Sequence, residues 1–325
     1  MTRRELPAPR RSRLGRGGIV PVCAVVLAGI GQGCTADLVD AHRRITVEKG
    51  VEIDVWVIKS RANPGEQEAG RAGATAVLLH PLLTNKRWFL SVGERLAAEG
   101  WDVFLPDLRG HGDSGGRVTW GAKEKRDVKA IVDSLLDEKL IRPSVYVMGA
   151  SLGGCVGVQY AAIDPRCRGV LALAPPTGIR GYVRCTWPLA TGKFIEERVR
   201  AEAKAGGYDP ADASAVEAAR KLKCPLIVVH GRLDTTVPYA QAREVHDAAP
   251  EPKKMIRLWA DHGGVQMGRD DWLVAQMRAL AGMGERRPDA GSANVRFQDA
   301  EAPDLPLAGS GTPRSVSPDC RQDRP

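Results

Sequence analysis

Two rhythms alternate along this chain of 325 residues. Val51, Ile53, Val55 and Val57 recur at every second position, the period of a strand with a buried face. Lys49-Gly50 before them marks a turn, so residues 44–59 read as two strands. Ala74–Leu79, 101–105, 145–148, 169–174 and 224–230 are short, largely apolar runs, the pattern of buried strands, and 254–259 closes the series. Between them the period lengthens. Val128, Ile131, Val132, Leu135 and Leu136 fall at i, i+3, i+4, i+7 and i+8, one face of a helix. Residues 87–99 predict a helix with Phe89, Leu90, Val92 and Leu96 as its apolar positions and Gly100 at its end. Residues 153–163, 239–248 and 271–283 read as further helices.

Strand and helix in turn predict an α/β fold: a mostly parallel central sheet with helices on both faces. In such sheets the functional groups collect beyond the carboxyl ends of the strands. His80, Asp107, Ser151 and Pro175 each fall just past a predicted strand, so one crevice can hold them all. Residues 175–223 break the alternation and read as a small cap over the sheet, while 61–73 is a polar Gly/Pro loop. Residues 284–325, rich in Pro, Gly, Ser and Asp without periodicity, are expected to be disordered. The organisation expected is a leader over 1–33, a main domain over 34–283 and this tail. No internal repeat is visible.

Apolar content of 43% and charged content of 26% are globular values. Aromatic content of 5% argues against a large aromatic-lined carbohydrate groove. The formal net charge is +8, but residues 1–16 carry six arginines against Glu5, so most of the surplus lies there. The remainder shows no basic face that would suit nucleic acid. That arginine-rich start, the apolar stretch 19–30 and Gly31-Gln32-Gly33 follow the order of an export signal. Cys34 next to Gly33 resembles the lipidation site of bacterial lipoproteins, although Gly31 stands where that motif prefers Leu. Arg10-Arg11 with Leu14 loosely resembles a twin-arginine signal. The expectation is an exported chain, periplasmic or tethered to the membrane through Cys34; a basic tail on a cytoplasmic protein is the alternative.

Seven cysteines stand at 23, 34, 155, 167, 185, 224 and 320, and none pair at metal-ligand spacing. Cys155 and Cys167 read as small core residues. Cys185 and Cys224 flank the cap and, in an exported protein, could form a disulfide.

The chemistry centres on Gly149-Ala150-Ser151-Leu152-Gly153, between a predicted strand and a predicted helix. A sharp turn there forces Ser151 into a strained backbone and lifts its hydroxyl to the helix N-terminus, where N–H groups and dipole stabilise an oxyanion. A side chain at either flanking glycine would clash. A Gly-rich turn without chemistry is the competing reading; a phosphate loop is a poor one, because no G-K-[ST] follows.

That motif, then His230-Gly231-Arg232-Leu233-Asp234, then Asp261-His262-Gly263, resembles the α/β-hydrolase superfamily in order and in position after strands. Leu105-Pro106-Asp107-Leu108-Arg109-Gly110-His111-Gly112-Asp113-Ser114 looks like that superfamily's loop after the fourth strand. Within it the chain looks most like the serine-aminopeptidase-like and monoglyceride-lipase-like group, over residues 44–283. The resemblance implies an α/β-hydrolase fold and a Ser151, Asp234, His262 triad. His262 would take the Ser151 proton, and Asp234 would hold the ring in the right tautomer. Asp261 is a rival acid, but adjacent residues seldom align for that bond. The Leu152 N–H is expected as one oxyanion donor. The superfamily usually has His-Gly for the second; here His80-Pro81 stands, and Pro81 has no N–H, so Leu82 is the expected donor. His80 and His111 read as loop-ordering residues, His230 as hydrogen-bonded locally, His246 as solvated, and His42 as having no visible partner. No histidine/carboxylate cluster suggests a metal, and no cofactor is expected.

The reading is a serine hydrolase acting on a small-molecule carboxylic ester through an acyl-enzyme. A thioesterase or a serine peptidase of the same fold shares the mechanism; a peptidase could read a peptide terminus through Glu196 or Glu197. A non-catalytic lipoprotein using the fold as a binding scaffold belongs to a different class, and a scaffold need not keep Ser151, Asp234 and His262 together.

Overall fold

The computed structural model describes residues 38–62, 74–284 and 300–301. The leader, Cys34 and almost all of the tail lie outside the described residues. A hairpin, β1 (Ala41–Glu48) and β2 (Val51–Ile58), turns at Gly50, whose φ of +79° suits a residue without Cβ. Then follow β3 (Ala74–Leu79), α1 (Leu90–Ala98), β4 (Asp102–Pro106), α2 (Glu124–Asp137), β5 (Ser144–Ala150), α3 (Leu152–Ala161) and β6 (Cys167–Leu173). After the cap come β7 (Leu226–Gly231), a helix over Tyr239–Ala248, β8 (Lys253–Leu258) and a helix over Asp270–Gly284. Ala300–Glu301 pair in parallel with Ile256 and Arg257, so two residues of the expected disordered tail extend the sheet edge. They can do so because β8 would otherwise leave its outer N–H and C=O groups unpaired.

The nine-stranded sheet runs β1-β2-β4-β3-β5-β6-β7-β8, with Ala300–Glu301 last. β1, β2 and β4 pair antiparallel, and every pair from β4 onward is parallel. This is the α/β-hydrolase fold. Alternation along each strand divides the core. Val77, Leu79, Val145, Val147, Val170, Ala172, Leu226 and Val228 pack with α2 and α3 on one face. Ala76, Leu78, Tyr146, Met148, Leu171, Leu173, Ile227 and Val229 pack with α1 and the Asp270–Gly284 helix on the other. Each fully buried aliphatic side chain contributes about 1.5–3 kcal/mol, so a one-residue register slip, which exchanges the faces, is heavily disfavoured.

The cap is α4 (Ile179–Thr186), α5 (Gly192–Gly206), a 3-10 turn and α6 (Ala215–Ala219). Thr191 caps α5 by accepting the Phe194 N–H, and Gly207 ends it at φ +63°. Ile195, Val199 and Ala203, spaced by four, form the buried stripe of α5, and Ile195 and Val199 join the α3-side core. The Trp120 and Tyr182 rings, centroids 4.2 Å apart, tie α4 to the loop before α2.

The suggested Cys185–Cys224 bridge does not form: both are free thiols. Cys185 sits on α4, where Gln241 Nε2 reaches its Sγ at 2.8 Å. Cys224, entering β7, instead hydrogen-bonds Cys167 of β6, which lifts the Cys167 thiol well above its ordinary value. Each thiol thus has a different neighbour, Gln241 for Cys185 and Cys167 for Cys224.

Candidate active site

β4 and β5 flank β3 on opposite sides, so the chain reverses its direction across the sheet there, the place beyond the strand ends where open α/β sheets bind their ligands. Leu79 stands opposite Gly149 in the β3–β5 register. The loop after His80 and the turn at Ser151 therefore leave the sheet side by side. Ser151 has φ +50° and ψ −114°, a conformation that costs of order 1–3 kcal/mol for a residue with a Cβ. Its N–H donates to the Leu173 carbonyl at 2.7 Å, which anchors the turn to β6. A Cβ at Gly149 would lie 2.3 Å from the Gly153 carbonyl oxygen, and one at Gly153 would lie 2.1 Å from that of Leu79. The strand–turn–helix junction therefore closes only around glycines. Leu152 opens α3, so its N–H belongs to the first turn, whose amides have no carbonyl four residues earlier in the helix.

Asp234 follows β7 and His262 follows β8, at the same end of the sheet as Ser151. Asp234 Oδ1 accepts the Thr236 and Val237 N–H groups, each at 2.9 Å. Oδ2 accepts His262 Nδ1–H at 2.7 Å. Burial alone would raise this carboxyl, but the His262 and Val237 hydrogen bonds and the neighbouring imidazoles outweigh it and hold it below the ordinary carboxylate range. An ionised Asp234 fixes the proton on Nδ1 and leaves Nε2 as the basic nitrogen. The Asp234 side chain is wholly buried and that of His262 is 21% exposed, so a substrate can reach the ring. Asp261 is exposed, and its Oδ1 accepts the Gly264 N–H at 2.7 Å, which caps its own turn. Ser151 Oγ makes no hydrogen bond among the described residues; such contacts commonly tighten only when substrate binds.

His80 organises the neighbouring loop. Its Nδ1–H donates to the Pro81 carbonyl at 2.8 Å, and Nε2 accepts the Leu108 N–H at 2.9 Å, tying the loop after β3 to the loop after β4. Burial lowers its pKa to about 4, so the ring is neutral, as this bonding pattern requires. The His111 ring meets it edge-on, 5.0 Å between centroids. Leu83 has φ +63° and an 82% exposed side chain, and the Leu82 N–H before it makes no hydrogen bond among the described residues.

One cluster, buried except for Asp113, was not visible in sequence. Lys86 Nζ lies 2.8, 2.7 and 3.0 Å from carboxylate oxygens of Asp54, Asp107 and Asp113. These three carboxylates are close enough together to hold a metal ion; the cation among them is the lysine ammonium. The cluster braces the loop after β4. Asp107 and Asp113 belong to the loop motif after β4, whereas Asp54 reaches them through the β2–β4 pairing and Lys86 from the 3-10 turn after β3. Of the candidate peptide-terminus readers, Glu196 is ion-paired with Arg180 and Glu197 is exposed.

Residues 70–207 match the family model for serine aminopeptidase, S33. YqkD of Bacillus subtilis (strain 168), a protein without an assigned activity, is 23% identical over 193 residues, 56% of this chain and 62% of its own length. The chain thus spans less than two thirds of that relative. Lipase 3 of Moraxella sp. (strain TA144) is 33% identical over 95 residues, 29% of either chain. The Pyrococcus furiosus esterase Pf2001 superposes with a TM-score of 0.59 at 21% identity, covering 78% of this chain and 96% of the esterase. The chain thus has the α/β-hydrolase fold, and over residues 70–207 it is similar to the serine aminopeptidase, S33 family.

Proposed function

We propose that this protein is a serine hydrolase that cleaves carboxylic esters of small molecules through an acyl-enzyme, with Ser151 as nucleophile, His262 as base and Asp234 as acid. The observation that carries the reading is the buried Asp234–His262 hydrogen bond of 2.7 Å, at the same sheet edge as the Ser151 turn. A serine hydroxyl is a weak nucleophile at neutral pH, so His262 Nε2 takes its proton as Oγ attacks the ester carbonyl. Asp234 stabilises the imidazolium that forms. The Leu152 and Leu82 N–H groups receive the developing oxyanion. His262 then gives its proton to the leaving alkoxide; water, deprotonated by the same nitrogen, releases the acid and restores Ser151.

Lipase 3 and the Pyrococcus esterase, by their names, act on esters, which supports the ester class. The serine aminopeptidase match favours a peptidase as the second reading. A peptidase of that kind needs a free carboxylate for the substrate's terminal ammonium; Glu196 is already neutralised by Arg180, which leaves the exposed Glu197 for that role. Incubation with a fluorophosphonate should give one covalent adduct by intact mass, absent in Ser151→Ala. Ester, thioester and aminoacyl-amide substrates of graded acyl length should then be hydrolysed with esters foremost. No adduct would reject the serine mechanism, and a preference for amides would move the reading to the peptidase. Export, with a tether at Cys34, belongs to the same proposal and rests on the order of residues in the leader.

A further inference from the structure

His230 is four residues before Asp234, at the end of β7, and its side chain is wholly buried. Nδ1 lies 2.9 Å from the Gly231 carbonyl oxygen. Among the described residues Nε2 is buried without a hydrogen-bond partner, 3.5 Å from Asp234 Oδ2. That oxygen is the one His262 Nδ1 uses. The acid of the triad therefore has an imidazole on either side, and the reaction described above uses only one.

A neutral imidazole carries one N–H. Placed on Nδ1, it satisfies Gly231 and turns the Nε2 lone pair toward a carboxylate. Placed on Nε2, it turns the Nδ1 lone pair toward a carbonyl 2.9 Å away. Only the imidazolium suits both sides, and the Val237 backbone favours it too. The groups facing the ring are Asp234 from the loop after β7, His262 from the loop after β8 and the Tyr239 ring, edge-on with centroids 5.7 Å apart. Burial opposes the charge and wins: the pKa lies below the ordinary histidine value, with His262 pushing the same way and Gly231, Asp234 and Val237 against. Near neutrality His230 is thus an unsatisfied base held against the triad's acid.

We infer that His230 is a positioning residue for the triad, whose Nε2, once protonated, binds Asp234 Oδ2 in competition with His262. The inference rests on the triad reading. A proton on His230 draws the shared oxygen toward a second donor and adds a positive charge beside it. His262 then loses part of the bond that orients its ring and of the negative charge that stabilises its imidazolium. A proton on either ring thus bears on the same carboxylate, and acid silences the site in two steps.

The test is the rate of Ser151 labelling by a fluorophosphonate, followed from alkaline pH down past both titrations. In the native protein the acid limb should run steeper than about 10-fold per pH unit over the range where His230 takes up its proton, toward the roughly 100-fold limit of two protons. In His230→Asn, whose amide can still serve Gly231 but offers nothing at Nε2, it should stay near 10-fold per unit. His230→Gln, which sets an uncharged N–H near Oδ2 at every pH, should keep the single-proton limb and lower the plateau several-fold below that of His230→Asn. A single-proton limb in the native protein, or a two-proton limb in both variants, overturns the inference. Absence of labelling at any pH instead overturns the serine mechanism. Should neither variant fold, nitrogen-15 NMR of histidine-labelled native protein decides. The His262 Nδ1–H resonance should move as His230 titrates, and a stationary resonance overturns the inference.

Discussion

Each member of the proposed triad is held by contacts that predict how its loss will read. Ser151→Ala removes the nucleophile and should lower ester hydrolysis by several orders of magnitude while abolishing labelling. His262→Ala should cost nearly as much, and the double variant little more, because the two act as a unit. In Asp234→Asn the side chain can present an amide N–H to the ring and reverse its tautomer; a loss of roughly 10⁴-fold is expected, as for the comparable change in serine proteases. Asp261→Asn should keep activity within a few-fold, since that carboxylate serves Gly264. Steady-state kinetics on one ester decides between the two acids. Gly153→Ala is the steric counterpart. Its Cβ would stand 2.1 Å from the Leu79 carbonyl oxygen, so β3 and α3 must separate. Overpacking of this kind costs about 1–3 kcal/mol or more, and urea denaturation should show it together with reduced labelling. A stable, fully labelled Gly153→Ala would refute the need for glycine.

Elements carry the acid sensitivity and the specificity. His80 links the loops after β3 and β4 as a neutral ring with a pKa of about 4. Unfolded, it would titrate at about 6.5. Between these values the unfolded chain binds the extra proton, so stability is full above about 6.5 and falls as pH drops toward 4. The loss is on the order of 3 kcal/mol, and lowered His111 adds to it in the same direction. Denaturation midpoints at pH 7 and pH 5 should therefore differ less in His80→Gln than in the native protein. An equal difference would place the acid sensitivity elsewhere. Asp234, with its depressed pKa, keeps its contribution through this window and loses it only at lower pH. The cap is argued the same way. α4 and α6 are stitched into the α3-side core by Ile179, Val183, Ala215 and Ala219. Replacing residues 187–212 with the matching segment of another hydrolase, these anchors kept, should shift acyl-length preference and spare labelling of Ser151. An unchanged preference would remove the cap from specificity.

At the scale of the whole molecule, the uneven charge sets the expectation. Residues 1–16 hold most of the net charge of +8, which an export signal would remove from the mature chain. Expressed in a bacterium, the full chain should fractionate with membranes, and Cys34→Ser should release it or block processing. Soluble protein that keeps Met1 would refute the tether.

Periodicity determined the layers, because the pleat of a strand and the turn of a helix are local and repeat in sequence. The elements around Ser151 were legible for that reason, and the G-x-S-x-G turn for another: its glycines answer a clash among neighbours in the chain. Asp234 was legible as His262's partner only through the resemblance, because Asp261 stands next to His262 in sequence while the bonded carboxylate lies 28 residues away. Only the β7–β8 register brings it there. The same holds for Lys86, which the 3-10 turn after β3 brings to Asp54 and Asp107, and for Cys224, which found Cys167 rather than Cys185. His230 read as one locally bonded ring; folding turned its second nitrogen toward the acid. Sequence thus determined which elements and which chemical groups exist. The tertiary structure decided which groups meet, because hydrogen bonds and ion pairs depend on ångström distances that strand register sets across long stretches of chain.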